Sequence, residues 1–321
     1  MKRTGNLIEK IADMENLRLA FWKAQIGKSG KREVCRFRED LDSELTAMRE
    51  ALLDDVPLVG DYRYFTIHDP KERVICVACF RERVLHHAIM NVCDETFEKY
   101  QIYDSYASRR GKGVDTCLER PQLFCRKYGW FLKLDIHKFF DSIDHRRLMN
   151  LLARHFKDQK LLYLFSCIID SYETADGKGV PIGNLTSQYF ANMYLGVLDH
   201  QLKEVCHMPG YVRYMDDFIL FADDRRTLDA IIPEICAFLE EELKLKLNKP
   251  ILNRTVAGIQ FLSYRVYGDK LWLSLKARRR FRRKIAIASN LERPDMALPL
   301  LAFINRADSV AFRRAVILQG M

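Results

Sequence analysis

Two apolar runs, Tyr211-Val212-Arg213 and Phe218-Ile219-Leu220-Phe221-Ala222, enclose Tyr214-Met215-Asp216-Asp217. Runs of this kind on either side of a short polar break read as a β-hairpin. Its tip holds two adjacent carboxylates in apolar surroundings. That is costly, because like charges repel and burial disfavours the ionised form. A divalent cation relieves both costs, and carboxylate oxygens suit magnesium. An ordinary Asp-bearing turn accounts for the same tetrapeptide, so the functional reading needs a second acidic position. Asp135 supplies it, ending the strand-like run GWFLKLD where a buried strand presents its last side chain. Three acids on neighbouring strand ends can hold two metals about 4 Å apart, one activating a hydroxyl and one stabilising a leaving group.

The rest of the chain alternates between helical and strand-like spacing. Residues 1–60 carry two segments with apolar residues at helical intervals, broken by the polar stretch Gly27 to Lys31. Tyr62 to Val77 reads as two strands around a turn at His68-Asp69-Pro70, and CFRERVLHHAIMNVCDETFEKY as a helix. A glycine-containing basic loop, DSYASRRGKGVDTC, precedes a helix that Pro121 should interrupt or reshape. After GWFLKLDI, Ser142 or Asp144 is placed to cap the next helix. TSQYFANMYLGVLDHQLKEV and RTLDAIIPEICAFLEEEL are helical, KLKLN and GIQFLSYRVY strand-like, and the tail from about Lys276 basic and helical.

Composition narrows the setting. The 321 residues are 48% hydrophobic and 30% charged, which suits a folded chain rather than a disordered one. The net charge of +9 is compatible with nucleic acid as a partner without requiring it. Nine cysteines, odd in number and irregular in spacing, fit reduced thiols better than a disulfide framework, and the lone Cys76/Cys79 pair is short of a zinc site. The charged start MKRTGNLIEK is unlike a signal peptide, and no apolar run reaches the roughly 18 residues of a membrane span. A cytoplasmic protein without membrane contact is expected.

LKLDIHKFFDSIDH and YMDD resemble, in order and spacing, the motifs that carry the metal-binding acids of reverse transcriptases. The resemblance runs over most of the chain. It implies an α+β fold, a right-hand polymerase with fingers, an antiparallel-sheet palm and a short helical thumb. Residues 1–60 would be a helical N-terminal extension, 61–250 the fingers and palm, and 251–321 a primer-gripping hairpin and basic thumb. It implies catalysis by Asp135, Asp216 and Asp217 with two Mg2+, Mn2+ being an alternative, and a further metal contact from the backbone carbonyl of Ile136. Asp217 contributes less directly than Asp216 in this family. SYASRRGKGVDTCL resembles the finger motif that meets the incoming triphosphate, with Arg109 foremost and Arg110 and Lys112 beside it; an arginine fork suits phosphate. Phe140, five residues after Asp135, stands where the family keeps an aromatic against the 2′-hydroxyl, whereas Phe139 reads as core. Ile182, Gly183 and Gln188 complete the implied dNTP-binding set. KARRRFRRKIAIASN resembles the thumb, with Arg278, Arg279, Arg282, Arg283 and Lys284 as nucleic-acid contacts and Phe281 as core.

The segment Ile182-Gly183-Asn184-Leu185-Thr186-Ser187-Gln188 separates subfamilies. Group II intron and retron enzymes usually read close to PQGxxxSP here, whereas the IGNxxSQ form looks like reverse transcriptases of diversity-generating retroelements. That resemblance implies cDNA synthesis from a template RNA, misincorporation mainly opposite adenine, and a small basic oligomeric accessory protein. Glutamine can hydrogen-bond near the nascent pair and isoleucine cannot, so discrimination could weaken by a fraction of the roughly 1–3 kcal/mol that good polar contacts supply. The competing readings are a retron, group II-like or phage-defence enzyme, and a nonenzymatic RNA-binding protein on a polymerase fold.

Overall fold

The apolar runs around the paired aspartates form antiparallel strands, β4 (Gly210–Tyr214) and β5 (Asp217–Ala222), and GWFLKLD forms β3 (Trp130–Asp135). This computed structural model describes residues 3–57, 59–68, 72–290 and 304–319. The chain divides into two compact units, each drawn from several stretches of sequence.

The first unit comprises Met1–Ile102, Ile136–His200 and Ala237–Lys246. Its N-terminal helices are α1 (Ile8–Ile11), α2 (Met14–Gln25), α3 (Arg32–Glu39) and α4 (Leu41–Leu53), with the expected break falling between α2 and α3. β1 (Tyr62–His68) and β2 (Glu72–Ala78) pair antiparallel; Asp69 and Pro70 of the expected turn lie outside the described residues. The long α5 (Phe80–Tyr100) packs along α2, where Phe21, Phe37 and Phe80 form an aromatic cluster with ring centroids 5.3–6.0 Å apart. A second cluster, Phe97, Phe156, Phe165 and Phe190, ties α5 to α8 (His145–His155), α9 (Gln159–Asp170) and α10 (Leu185–His200). Asp144 is the cap of α8, its Oδ1 accepting the Arg147 N–H at 2.9 Å, while Ser142 ends a separate short helix, Phe139–Ser142.

The second unit comprises Tyr103–Asp135, Gln201–Cys236 and Leu247–Met321. Its four-stranded sheet has the order β4-β5-β3-β6, where β6 is Ile251–Arg254. The strand expected at KLKLN is reduced to a single bridge at Leu247, where the His137 N–H bonds the Lys246 carbonyl and the Asn248 N–H the Asp135 carbonyl, each at 2.8 Å. The Leu245 N–H bonds back to the Leu239 carbonyl, extending the end of the preceding helix, and sheet pairing resumes six residues later at Ile251. The alternation that suggested a strand is Leu245, which is buried, and Leu247, which is half-buried. The helix α6 (Val114–Lys127) runs through Pro121 without interruption. Burial of Leu118, Pro121 and Phe124 offsets the missing hydrogen bond, a defect that costs about 3 kcal/mol in an exposed helix. A three-stranded meander follows, β7 (Ile259–Phe261), β8 (Tyr264–Val266) and β9 (Leu271–Leu273). Leu262 and Ser263, both at positive φ, make the two-residue turn between β7 and β8. Phe131, Ile219, Phe221, Phe261, Tyr264 and Phe281 share one buried core, which α12 (Leu275–Asn290) joins through Ala277 and Phe281.

Candidate active site

Strand register does most of the work of assembling the acids. Asp135 is paired directly across from Asp217, and Tyr214 across from the same Asp217, so Met215 and Asp216 form a two-residue turn. Directly paired antiparallel residues stand roughly 4.5–5.5 Å apart at Cα. Met215 takes φ +57°, a conformation that non-glycine side chains rarely adopt and that neighbouring contacts must hold. Arg213 supplies one such contact: wholly buried, it donates from Nη1 to the Met215 carbonyl at 3.0 Å. Its own backbone is zipped to the 104–106 segment, accepting from the Tyr106 N–H at 3.0 Å and donating to the Asp104 carbonyl at 2.9 Å.

The carboxylates are unequal. Asp217 is pushed up to about 7, first by burial and then by the nearby charges of Asp135 and Asp216, with Lys133 opposing. Lys133 Nζ lies 3.0 Å from Asp217 Oδ2 and also donates to the Gln260 carbonyl at 2.9 Å. Asp217 Oδ1 is buried without a hydrogen-bond partner. Asp135 Oδ2 accepts from Asn248 Nδ2 at 2.6 Å, and the Asn248 N–H bonds the Asp135 carbonyl at 2.8 Å. An all-oxygen donor set, an orphaned buried carboxylate oxygen and mutual repulsion fit a divalent cation such as Mg2+. Among the described residues no three ligating side chains are already drawn into one coordination shell. Lys133 and Asn248 engage Asp217 and Asp135 instead.

Lys133, Asn248 and Arg213 are the residues that sequence reasoning missed. For Lys133 a signal existed, since strand alternation sets it on the same face as the buried Phe131 and as Asp135, where a cation meets the acids. Asn248 gives no local signal, being 113 residues from Asp135.

The basic loop lies in the same unit. Arg109 Nη1 donates to the Ser105 carbonyl at 2.5 Å, and Lys112 Nζ sits 3.7 Å over the Tyr103 ring while donating to the Tyr103 carbonyl. Arg110 is exposed. Asp104 is bound by both arms of Arg120 at 2.7 and 3.2 Å, which fixes the root of the loop beside β4. On α12, Arg279, Arg282 and Arg283 are exposed, and Phe281 is core. Arg278 and Arg282 also stack on Phe312, at 5.5 and 5.2 Å, and Lys284 is half-buried. A groove of about 660 Å3 is lined by Arg265, Trp272, Lys276, Arg278 and Arg279.

Ile136, Phe140, Ile182, Gly183 and Gln188 belong to the first unit. Ile136 and Phe139 are buried, whereas Phe140 is half-buried and its carbonyl accepts the Val180 N–H at 2.9 Å, bringing it near the segment before Ile182. The Ile182 carbonyl accepts the Cys76 N–H of β2 at 3.2 Å, and Asn184 Oδ1 the Ala78 N–H at 3.3 Å. Gly183 has φ +117°, and a Cβ there would stand 3.1 Å from the Cys76 carbonyl oxygen, so glycine is required.

Solved structures with this fold include apo telomerase from Candida tropicalis, at TM-score 0.52 and 12% identity over 66% of this chain, and the same enzyme truncated from its C-terminal domain, at 0.51 and 14%. The class is thus an α+β right-hand polymerase fold. Residues 68–266 match the family described as reverse transcriptase (RNA-dependent DNA polymerase), and the chain belongs to that family. Its relatives include Protein YkfC of Escherichia coli, 24% identical over 70% of this chain and 71% of that one. Nuclear intron maturase 1 of Arabidopsis thaliana is 29% identical over 26% of this chain. The chain spans 48% of the telomerase and 12% of the maturase. No helix among the described residues is long and apolar enough to cross a membrane.

Proposed function

We propose that the chain copies a template RNA into cDNA, with Asp135, Asp216 and Asp217 holding two Mg2+, Mn2+ being able to substitute. The observation that carries this reading is the register that sets Asp135 against Asp217, next to Asp216 at a braced turn. Bound there, the ions supply activation of a primer 3′-hydroxyl and stabilisation of departing pyrophosphate. Asp135 and Asp216 are the principal ligands. Asp217, shared with Lys133, contributes less directly. Ile136 offers its backbone carbonyl to a metal. Arg109, Arg110 and Lys112 bind the triphosphate, Phe140 excludes the 2′-hydroxyl, and Ile182, Gly183 and Gln188 border the nascent pair. Residues 61–250 serve as fingers and palm after the 1–60 extension. In 251–321, Arg278, Arg279, Arg282, Arg283 and Lys284 follow the nucleic-acid backbone. Asp216→Asn should abolish primer extension on an RNA template with Mg2+ while leaving RNA binding within about twofold, because the change removes a metal ligand and leaves every phosphate-binding cation in place. Extension at the normal rate by this variant would remove Asp216 from the metal site, whereas RNA binding without any extension by the unsubstituted chain would favour a nonenzymatic RNA binder.

The IGNLTSQ segment favours the diversity-generating subclass over the retron, group II-like and phage-defence kinds, with a small basic oligomeric accessory protein as partner. Ile182 is half-buried beside β2 and offers no side-chain hydrogen bond to a base pair. Ile182→Gln should lower misincorporation opposite template adenine by up to about tenfold, read by sequencing cDNA made from a defined RNA. An unchanged error spectrum would remove Ile182 from the fidelity argument.

A further inference from the structure

The first unit contains a second concentration of charge, on residues outside the sequence motifs, that borders the IGNLTSQ segment. A pocket of about 180 Å3 is lined by Lys28, from the loop after α2, by Arg83, His86 and His87 of α5, and by Asn184 and Gln188 at the start of α10. No carboxylate lines it among the described residues. Burial, followed by the charges of Arg83 and Lys31, lowers Lys28 from its usual range. Burial also lowers Arg83 and pushes His87 down to about 4, with Arg83, His86, Lys23 and Lys28 adding to the effect on His87. Positive charge has thus been gathered with no carboxylate in the lining, although Glu33 offsets part of it for Lys28 and Arg83 and the buried Glu82 stands behind His86.

Two deeply buried polar groups are left over at the same place. His86 is 1% exposed and neither ring nitrogen makes a hydrogen bond; Nε2 stands 3.5 Å from Glu82 Oε1 without the alignment of one. Asn184 is 2% exposed, and its Nδ2 has no partner although Oδ1 is bonded to the Ala78 N–H. Buried donors of this kind cost about 1–3 kcal/mol each when unsatisfied. The N-terminus of the 16-residue α10 adds a positive dipole end.

We propose that this pocket binds a phosphate group. The donors outnumber what the two oxygens of a carboxylate use, and a phosphate group brings three strong acceptors. Arg83 spends one N–H on the Ala24 carbonyl, at 2.9 Å, and retains the rest of its fork. The volume lies below the roughly 300 Å3 at which pockets enclose whole small molecules, so one phosphate is held rather than a buried nucleotide. Lys28 lies outside residues 68–266 while the rest of the lining lies within them, so the family match does not account for Lys28, and the N-terminal extension gains a binding role. The phosphate is either free in solution or part of a nucleic-acid strand.

The test uses the full chain with 15N-labelled histidines, titrated with inorganic phosphate and separately with a short oligouridylate, against chloride at matched ionic strength. The ring signals of His86 and His87 should move saturably, and Lys28→Gln should weaken the response roughly tenfold. Displacement of phosphate by the RNA assigns the site to a strand; a phosphate response indifferent to RNA assigns it to a free anion. Unmoved signals with both probes, or an undiminished response in both Lys28→Gln and Arg83→Gln, would overturn the proposal. Should Arg83→Gln not fold, Lys28→Gln at its loop position decides alone. Asp216→Asn should leave the response intact, so the outcome is independent of polymerase activity.

Discussion

Asp217 is subject to opposed demands. It is buried, it faces two other acids, and only Lys133 offsets that repulsion. Its folded-state value of about 7 exceeds the 3.8 of an ordinary aspartate. A group raised in this way favours folding below pH 4, and the contribution is lost as pH climbs towards 7, on the order of 4 kcal/mol in all. Metal-free protein should therefore lose stability between pH 4 and 7 in denaturant melts, and Asp217→Asn should flatten that slope and raise the midpoint at pH 8. Saturating Mg2+ should flatten it too, by compensating the same charge. A slope unchanged in Asp217→Asn would place the strain elsewhere. The three aspartates were legible in the sequence because charge in an apolar run is conspicuous. Their braces were not, since Asn248 and Arg213 act through contacts that register alone creates.

At the level of elements, hydrophobic spacing located α5, α8, α10 and the helical character of residues 1–60, together with the strands on either side of the acids, while α9 drew no expectation. The failures have distinct physical causes. Pro121 breaks a local rule, and burial of Leu118 and Phe124 overrides it. KLKLN is strand-like only at its end: the Leu245 N–H still bonds back to the helix at Leu239, and β-type pairing is confined to the bridge at Leu247. The cap of α8 was narrowed to two residues, and only Asp144 has the extended backbone that lets its carboxylate reach the Arg147 N–H. Asp144→Ala should cost about 1 kcal/mol in equilibrium unfolding, and Ser142→Ala much less, since Ser142 caps nothing. Equal losses would show that the α8 terminus is held by packing instead.

Over the whole molecule, the net charge of +9 hides a local pattern. Much of the exposed positive charge on α12 is concentrated within Arg278 to Lys284, near a groove that also carries Trp272. Replacing both Arg279 and Arg283 with glutamine should weaken RNA binding for every sequence alike. It should also reduce the slope of log affinity against log salt by roughly 0.7 for each phosphate that is no longer neutralised. An unaltered salt slope would mean that these arginines only solvate the helix.

The segment from Ile182 to Asn184 is tied to the β1–β2 ribbon by two hydrogen bonds, with Gly183 lying close against the Cys76 carbonyl. Ribbon and segment consequently travel as one mechanical piece. A substitution far out along the ribbon can reach Ile182 through the backbone without touching it, so copying accuracy, if it resides at that isoleucine, is hostage to how the ribbon is held.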